Sequence, residues 1–197
     1  MKNFEILILA AGKGTRMKSQ KPKLLNKIKN QTILDKIIKK AQKLKASKIN
    51  VMINKDYKFF ISRYKKINFF FQKKKLGTGH AVISFLKKKK ITNSNLVIMM
   101  GDAPSINIFS IQKVIKKLGK KSLVLLGANL KKNYSNGMIQ FKEKKIYKIK
   151  EFSFLNKYEK KNCLCNTGVI GIQKKYIKNL FLIKKNKIKK EYLLTDI

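Results

Sequence analysis

The stretch that decides the fold is Phe4-Glu-Ile-Leu-Ile-Leu-Ala-Ala-Gly-Lys-Gly-Thr-Arg-Met17. Its apolar first half predicts a buried strand, and its second half predicts a loop that contains two glycines and an arginine. The backbone N–H groups of Gly12 and Gly14 can approach a phosphate closely because no Cβ blocks them. Arg16 and Lys23 supply the positive charge that a triphosphate requires. We therefore expect a nucleoside triphosphate to bind at the end of this strand.

This loop differs from two other phosphate-binding motifs. The GxxxxGK[ST] spacing of a P-loop is missing, and a dinucleotide-binding loop would need a third glycine at the position of Met17. The glycine pair alone would fit an ordinary tight turn. Its combination with Thr15, Arg16 and Lys23, directly after a buried strand, favours phosphate binding.

The charge of the chain first suggests a nucleic-acid partner. Its formal net charge is +40, from 49 basic residues against 9 acidic ones. Only Arg16 and Arg63 are arginines, and the lysines are scattered over most segments rather than gathered on one face. Abundant Lys, Asn and Ile with scarce Gly, Pro, Arg and Trp are typical of a bias toward A/T-rich codons. We interpret the charge as a solvated surface and expect no specific nucleic-acid partner.

Length and cysteine content limit the class of protein. A chain of 197 residues with 44% hydrophobic residues predicts a single domain with an ample core. Two cysteines fit a reducing compartment, and neither a signal peptide nor a membrane-spanning apolar run is recognisable. We therefore expect a cytoplasmic protein without a membrane partner.

The order of the predicted elements indicates an α/β fold. Strands are predicted at 4–10, 49–53, 67–72, 96–100 and 122–130. Helices predicted at 32–44, 79–86 and 106–118 alternate with them. After Gly137 the pattern changes to strands at 138–141, 146–150 and 164–172, followed by a helix at 176–183. This order predicts a doubly wound sheet that binds its ligands at the carboxyl ends of the strands.

Residues that run against the compositional bias mark positions where the backbone or the chemistry requires them. Leu76-Gly-Thr-Gly-His-Ala81 and Gly101-Asp102 both follow predicted strands. Asp102 could cap the next helix or hold Mg²⁺ between phosphates, and we favour the metal because acidic residues are so scarce. His80 has no partner carboxylate in the sequence, so we assign it to local packing or capping rather than to a general base.

Six segments together resemble one family. They are Leu9-Ala-Ala-Gly-Lys-Gly-Thr-Arg-Met17, Pro22-Lys23, Leu76-Gly-Thr-Gly-His-Ala81, Gly101-Asp102, Asn166-Thr-Gly168 and Glu191-Tyr-Leu-Leu-Thr-Asp196. Their order and spacing resemble the pyrophosphorylase half of the bacterial N-acetylglucosamine-1-phosphate uridyltransferases, over essentially the whole chain. The first segment is shared by many sugar and alcohol nucleotidyltransferases, whereas the third and the last narrow the resemblance to this family.

The resemblance implies a Rossmann-like, three-layer nucleotidyltransferase fold. Its sheet would be mixed and mostly parallel, with a small β-hairpin-rich C-terminal portion. Within a single domain, residues 1–130 would bind the nucleotide and residues 131–197 the sugar phosphate. The acetyltransferase β-helix that makes this family trimeric is expected to be absent, so we expect a monomer or a weak oligomer.

The resemblance also implies a reaction and its residues. An oxygen of N-acetylglucosamine 1-phosphate would attack the α-phosphorus of UTP in line, assisted by Mg²⁺, and pyrophosphate would leave. Arg16 and Lys23 would be catalytic, and Asp102 would bind the metal. The nucleotide would contact Leu9, Ala10, Ala11 and Gly12, with uracil read by Gln72, Gly77 and Thr78. The sugar phosphate would contact Gly137, Glu151 and Asn166.

Several positions depart from the family pattern. Lys75 stands where the family has a second glutamine in its uracil loop, and Asn136-Gly-Met138 replaces a Tyr-Gly-Arg turn. The family's second metal ligand, an asparagine, would fall beyond residue 197, so we expect weak metal binding. Two alternatives remain open: a nucleotidyltransferase for another sugar or polyol phosphate, and a degenerate, non-catalytic basic binding protein.

Replacement of Arg16 tests the predicted phosphate loop. We expect Arg16→Ala to lower turnover by roughly 10²-fold or more, as does the loss of one preorganised charged donor elsewhere. The measurement is pyrophosphate release from UTP and N-acetylglucosamine 1-phosphate. An unchanged rate would contradict the assignment of Arg16 to the triphosphate.

Overall fold

The computed structural model describes residues 3–12, 22–91, 94–130, 135–161 and 164–196. Its strands are β1 (Phe4–Ala10), β2 (Lys27–Ile28), β3 (Gln31–Thr32), β4 (Lys48–Ile53), β5 (Asn68–Phe71), β6 (Asn95–Met100), β7 (Leu123–Asn129), β8 (Met138–Lys142), β9 (Lys145–Lys150) and β10 (Leu164–Ile172). Its α-helices are α1 (Ile33–Lys43), α2 (Phe60–Arg63), α3 (Thr78–Lys88) and α4 (Ile108–Lys117). Short 3₁₀ helices cover Lys23–Leu25, Lys55–Tyr57, Phe152–Phe154, Glu159–Lys161, Lys174–Leu182 and Leu194–Asp196. No helix in these ranges is long and apolar enough to cross a membrane.

β1 is an interior strand of the main sheet and is buried at every position. It pairs in parallel with β4 on one side and with β6 on the other, and β5 continues the parallel part beyond β4. β10 then runs antiparallel to β6, β7 and β8, and β9 pairs with β8. The path through the sheet is β5-β4-β1-β6-β10-β8-β9, with β7 also paired to β10. The sheet is therefore mixed.

Alternate residues of β1 face two separate apolar clusters. Ile6 and Ile8 belong to a cluster with the apolar side chains of α1 and α4. Leu7 and Leu9 belong to another, with α3 and the 3₁₀ helix Lys174–Leu182. Apart from Glu5, the residues of β1 are apolar on both of its faces, as a sheet covered on both faces requires. The result is three layers: helices, sheet and helices.

The predicted α/β fold is confirmed, and the predicted strands and α-helices lie close to their observed positions. The structure adds two short elements that the apolar pattern did not predict, the β2–β3 hairpin and α2. The hairpin turns at Lys29 and Asn30, which both have positive φ, as a two-residue turn between twisted strands requires.

The helix expected at 176–183 is observed as the 3₁₀ helix Lys174–Leu182. Its buried side chains are Ile177 and Leu180, and Ile183 at its C-cap is buried as well. These residues recur at every third position, which matches the three residues per turn of a 3₁₀ helix. In an α-helix the same three side chains would spread over about 120° of the helix surface instead of lying in one line.

The start of α1 is fixed by a buried carboxylate. Thr32 caps the helix through a capping box with Asp35. Asp35 also accepts hydrogen bonds from Arg63 Nη1, at 3.2 and 3.0 Å, and from the Tyr64 hydroxyl at 2.6 Å. Burial raises the pKa of Asp35, but the hydrogen bonds from Tyr64, Thr32 and Arg63 outweigh it and lower the pKa overall. Asp35 therefore ties α2 to the helix that covers β1.

Replacement of Asp35 tests this tie. We expect Asp35→Asn to lower the free energy of unfolding by about 1–3 kcal/mol near pH 7, because the ionised acceptor of several hydrogen bonds is lost. Since the pKa of Asp35 is lower in the folded state, its contribution is present above about pH 4 and is lost as the pH falls. Denaturant unfolding at about pH 7 and about pH 3.5 measures both effects. Exposed Asp56→Asn is the matched control, and an equal loss at the two pH values would contradict the assignment.

Candidate functional site

A cleft of about 980 Å³ opens at the carboxyl ends of β1, β5 and β6. Residues from the antiparallel strand β10 and from the segment 189–195 complete its walls. Its lining includes every described residue to which the sequence assigns a site role: Leu9, Ala10, Ala11, Gly12, Lys23, Gln72, Gly77, Thr78, Asp102, Gly137, Glu151 and Asn166. Arg16 lies outside the described residues. The cleft thus brings the predicted residues together, and their individual roles stay predictions.

The floor of the cleft is the junction of β1 and β6. The Gly101 N–H donates to the Leu9 carbonyl at 2.9 Å. A Cβ at Gly101 would lie 2.9 Å from that same oxygen, so only glycine lets the two strand ends approach this closely. Buried Asn54, which follows β4, donates from Nδ2 to the Ala11 carbonyl at 3.4 Å. Three neighbouring strands therefore hold the backbone that begins the phosphate loop.

Lys23 and Asp102 form an ion pair across the cleft, with Nζ 2.7 Å from Oδ2. Both side chains remain partly exposed, at 31% and 40%. Lys23 is held by the short 3₁₀ turn Lys23–Leu25, where the Leu24 N–H donates to the hydroxyl of fully buried Tyr57 at 3.5 Å. A cation and a carboxylate with access to solvent are thereby available for phosphate and for metal.

The loop after Asp102 is anchored from α1. Lys40 donates from Nζ to the carbonyl of Pro104 at 2.7 Å and to the carbonyl of Ile106. Burial lowers the pKa of Lys40, and the charge of Lys36 lowers it further. The carbonyl acceptors replace the water that this ammonium loses on burial. Lys40 therefore fixes the loop that carries Asp102 without entering the cleft itself.

One end of the cleft is formed by the Gly77 loop, which rests on the segment 191–195. Gly77 has φ +96°, and a Cβ there would lie 2.5 Å from the Tyr192 carbonyl. The Tyr192 N–H donates to the Leu76 carbonyl, and the Tyr192 carbonyl accepts from the Gly79 N–H, each at 2.8 Å. The Leu194 N–H donates to the Thr78 hydroxyl at 3.1 Å. This set of backbone bonds, which we call the C-terminal tie, holds the loop in place.

Gln72 lies behind this loop and is buried. Its Nε2 is 3.4 Å from the Gly77 carbonyl and 3.0 Å from His80 Nδ1. The Ser84 hydroxyl lies 3.4 Å from both ring nitrogens of His80. Burial lowers the pKa of His80, and the charges of Lys87 and Lys74 lower it further. The structure therefore connects His80 directly to a residue that the sequence assigns to base recognition.

A bulge in β10 shapes the opposite end of the cleft. The pairing of β10 with β7 shifts register between Asn166 and Ile170. Within this interval Gly168 has φ +79°, and a Cβ there would lie 2.3 Å from Met100 Cγ. The Asn166 N–H donates to the Gly137 carbonyl at 2.8 Å, and Asn166 Oδ1 accepts from the Gly168 N–H at 3.0 Å. The side-chain amide of Asn166 also carries an NH₂ group, which is a hydrogen-bond donor.

Glu151 follows β9 and faces this end. Its Oε1 accepts from the Thr195 hydroxyl at 3.0 Å, and its Oε2 lies 3.4 Å from Lys189 Nζ. The Lys189 N–H donates to Asn186 Oδ1, and Lys189 Nζ lies 5.4 Å from the centroid of the Phe154 ring. A carboxylate held between a hydroxyl and an ammonium is a fixed acceptor for sugar hydroxyls.

The donor set at Asp102 fits a magnesium ion that arrives with its ligand. In the described parts of the chain, no three His, Cys, Asp or Glu side chains form a cluster that could hold a metal. Mg²⁺ at nucleotide sites is usually held by one or two carboxylates together with phosphate oxygens and water. The partly exposed carboxylate of Asp102, inside the cleft, meets that requirement.

Sequence reasoning assigned no role to four residues that support the site: Lys40, Asn54, Lys189 and Thr195. Asn54 carried a signal, since a polar residue directly follows a predicted buried strand. Thr195 lies inside the quoted segment Glu191–Asp196, which also marked it. Nothing in the sequence distinguishes Lys40 and Lys189, because lysine is so frequent in this chain that a lysine at a given position does not indicate a role.

Sequence comparisons find relatives over nearly the whole chain. A family model described as "MobA-like NTP transferase domain" matches residues 6–134. The bifunctional protein GlmU of Buchnera aphidicola subsp. Baizongia pistaciae is 37% identical over 197 residues, which cover 98% of this chain and 44% of that protein. The bifunctional protein GlmU of Wigglesworthia glossinidia brevipalpis is 37% identical over 201 residues, with 98% and 43% covered. The chain thus spans less than half the length of these relatives.

A solved structure supports the fold. UDP-glucose pyrophosphorylase complexed with UDP-glucose superposes with a TM-score of 0.71 over 98% of this chain and 84% of that one. The two are 17% identical, so the likeness concerns the fold. This chain therefore shares its three-layer fold with that pyrophosphorylase.

Replacement of Gly77 tests the C-terminal tie. We expect Gly77→Ala to lower the free energy of unfolding by about 1–3 kcal/mol, because its φ is positive and its Cβ would meet the Tyr192 carbonyl. Gly12→Ala is the matched control, since a Cβ at Gly12 meets nothing within 4 Å. Denaturant unfolding measures both variants. Equal stabilities would contradict the close approach of the two segments.

Proposed function

The chain belongs to the MobA-like NTP transferase domain family, and from that premise we propose that it transfers UMP from UTP to N-acetylglucosamine 1-phosphate. The observation that carries the proposal is the cleft, whose lining unites the predicted nucleotide-binding and sugar-binding residues at one edge of the sheet. The names of the GlmU relatives support the choice of this reaction over others of the family.

The nucleotide half of the site lies between the β1 loop and the Gly77 loop. The backbone at Ala11 and Gly12 would carry the triphosphate, and Gln72 with Gly77 and Thr78 would take the base. The glycines at both loops support this, because a ligand can approach the backbone closely there. Lys75 also lines this end, and it adds a positive charge beside the base.

The sugar half lies between Gly137, Glu151 and Asn166. Glu151 would accept hydrogen bonds from sugar hydroxyls, and the Asn166 amide would donate to the sugar or to its acetamido oxygen. Lys189 and Thr195 hold the Glu151 carboxylate in place at the edge of the cleft. These polar contacts would orient the sugar phosphate toward the triphosphate.

The chemistry needs charge neutralisation rather than a general base. The attacking oxygen of a sugar 1-phosphate is already anionic, so no proton has to be removed. Lys23, together with Arg16 by the sequence assignment, would neutralise the triphosphate as charge develops on the leaving pyrophosphate. Bound magnesium would supply further neutralisation and alignment of the phosphates. The protein would hold it through Asp102, and Lys40 keeps the loop of that carboxylate in position.

The test is a pyrophosphate-release assay over several NTPs and sugar 1-phosphates, with and without Mg²⁺. We expect the highest kcat/KM for UTP with N-acetylglucosamine 1-phosphate. A higher kcat/KM for another pair would contradict the proposed substrates but would still support a nucleotidyltransferase reaction. Release with no pair at all, with salt-dependent RNA binding instead, would favour a non-catalytic basic binding protein.

Replacement of Glu151 tests the sugar half separately. We expect Glu151→Gln to raise the KM for the sugar phosphate about 10- to 100-fold, because a hydrogen bond to a charged group contributes about 1.5–3 kcal/mol. The KM for UTP should change little. Glu143→Gln, in the exposed β8–β9 turn, is the matched control. An equal rise in both KM values would contradict the assignment of Glu151 to the sugar.

A further inference from the structure

The orientation of the Gln72 side-chain amide is determined by its neighbours. The Gly77 carbonyl can only accept a hydrogen bond, so the group that faces it at 3.4 Å must be the amide nitrogen, Nε2. The same nitrogen lies 3.0 Å from His80 Nδ1. Both hydrogens of the Gln72 amide are therefore engaged, one by a carbonyl and one by the imidazole.

This contact fixes the tautomer of His80. Nδ1 must accept, so the ring is neutral and carries its proton on Nε2, where the Ser84 hydroxyl is a partner at 3.4 Å. Gln72 Oε1 accepts a hydrogen bond from no described residue. Among the described residues, every fully buried side-chain N or O atom has a hydrogen-bond partner, so Oε1 is not fully buried. Oε1 is therefore open to the cleft that Gln72 lines.

We infer that His80 is a positioning residue that turns the Gln72 carbonyl oxygen toward the base and so selects nucleotides with an N–H on the ring edge. Uracil offers a donor at N3, whereas cytosine offers a lone pair there, which the Gln72 oxygen repels. The inference rests on the proposed function and names what sets its base selectivity. His80 itself does not touch the substrate.

The charged form of His80 is incompatible with this arrangement. A proton on Nδ1 would face the Gln72 NH₂ group, and rotation of the amide would place its oxygen against the Gly77 carbonyl. The groups that surround the ring favour the neutral form. Burial, then Lys87 on α3, then Lys74 on the preceding loop lower the pKa of His80, while the Tyr192 ring lies 6.0 Å away.

The experiment compares two His80 variants in the pyrophosphate-release assay. The readout is the ratio of kcat/KM for UTP to that for CTP, with one sugar phosphate. We expect His80→Ala to lower this ratio about 10-fold, because the amide is released from its fixed orientation. His80→Asn should retain the ratio, since Asn Oδ1 can accept in the place of Nδ1 and cannot be protonated.

A pH series supplies a readout that does not depend on the stability of a variant. Between about pH 8 and about pH 5.5 the ratio should fall toward the acid side in the wild type and stay constant in His80→Asn. Ionisation of the sugar phosphate affects both nucleotides alike and cancels in the ratio.

Different results would show that this inference fails and that the proposed function fails. An unchanged ratio in His80→Ala, or a ratio that falls with acid as steeply in His80→Asn as in the wild type, overturns the inference while UMP transfer continues. Absence of transfer from every NTP overturns the proposed function and the inference with it.

Discussion

The parallel pairing of β1 with β4 and β6 is the constraint on which the rest of the structure depends. Because parallel strands all end at the same edge, the loops after β1, β5 and β6 meet there whatever their own sequences are. The antiparallel strand β10 adds Asn166 from the opposite chain direction, at a bulge. The cleft is therefore a consequence of sheet topology, and the loops supply only its chemistry.

Apolar runs predict most of this fold because the sheet is covered on both faces. The strand Phe4–Ala10 and helix α1 follow directly from runs and spacings of apolar residues. The type of the helix at 174–182 does not follow in this way, because Ile177, Leu180 and Ile183 recur at a spacing that a loose α-helical pattern also tolerates. The β2–β3 hairpin and α2 are too short to leave a periodic signal.

The residues of the candidate site also fall into those that the sequence identifies and those that it does not. Glycines and Asp102 stand out against a composition rich in lysine, so the sequence marks them, whereas Glu151 is marked only by the resemblance to a known family. Lys40 and Lys189 support the site but resemble every other lysine until their acceptors are known. The role of His80 was assigned to local packing because its partner, Gln72, carries no charge and so gives no sign of an acid–base pair.

The C-terminal tie joins residues that are far apart in the sequence, since Thr78 and Leu194 are 116 positions apart. Contacts of such separation form late, because the entropy of closing a long loop must be met before they contribute. The main sheet lies within residues 4–172, whereas the Gly77 loop has to wait for Tyr192 before the C-terminal tie can form. During synthesis on the ribosome, the strands of the sheet could therefore pair before the C-terminal tie closes this end of the cleft.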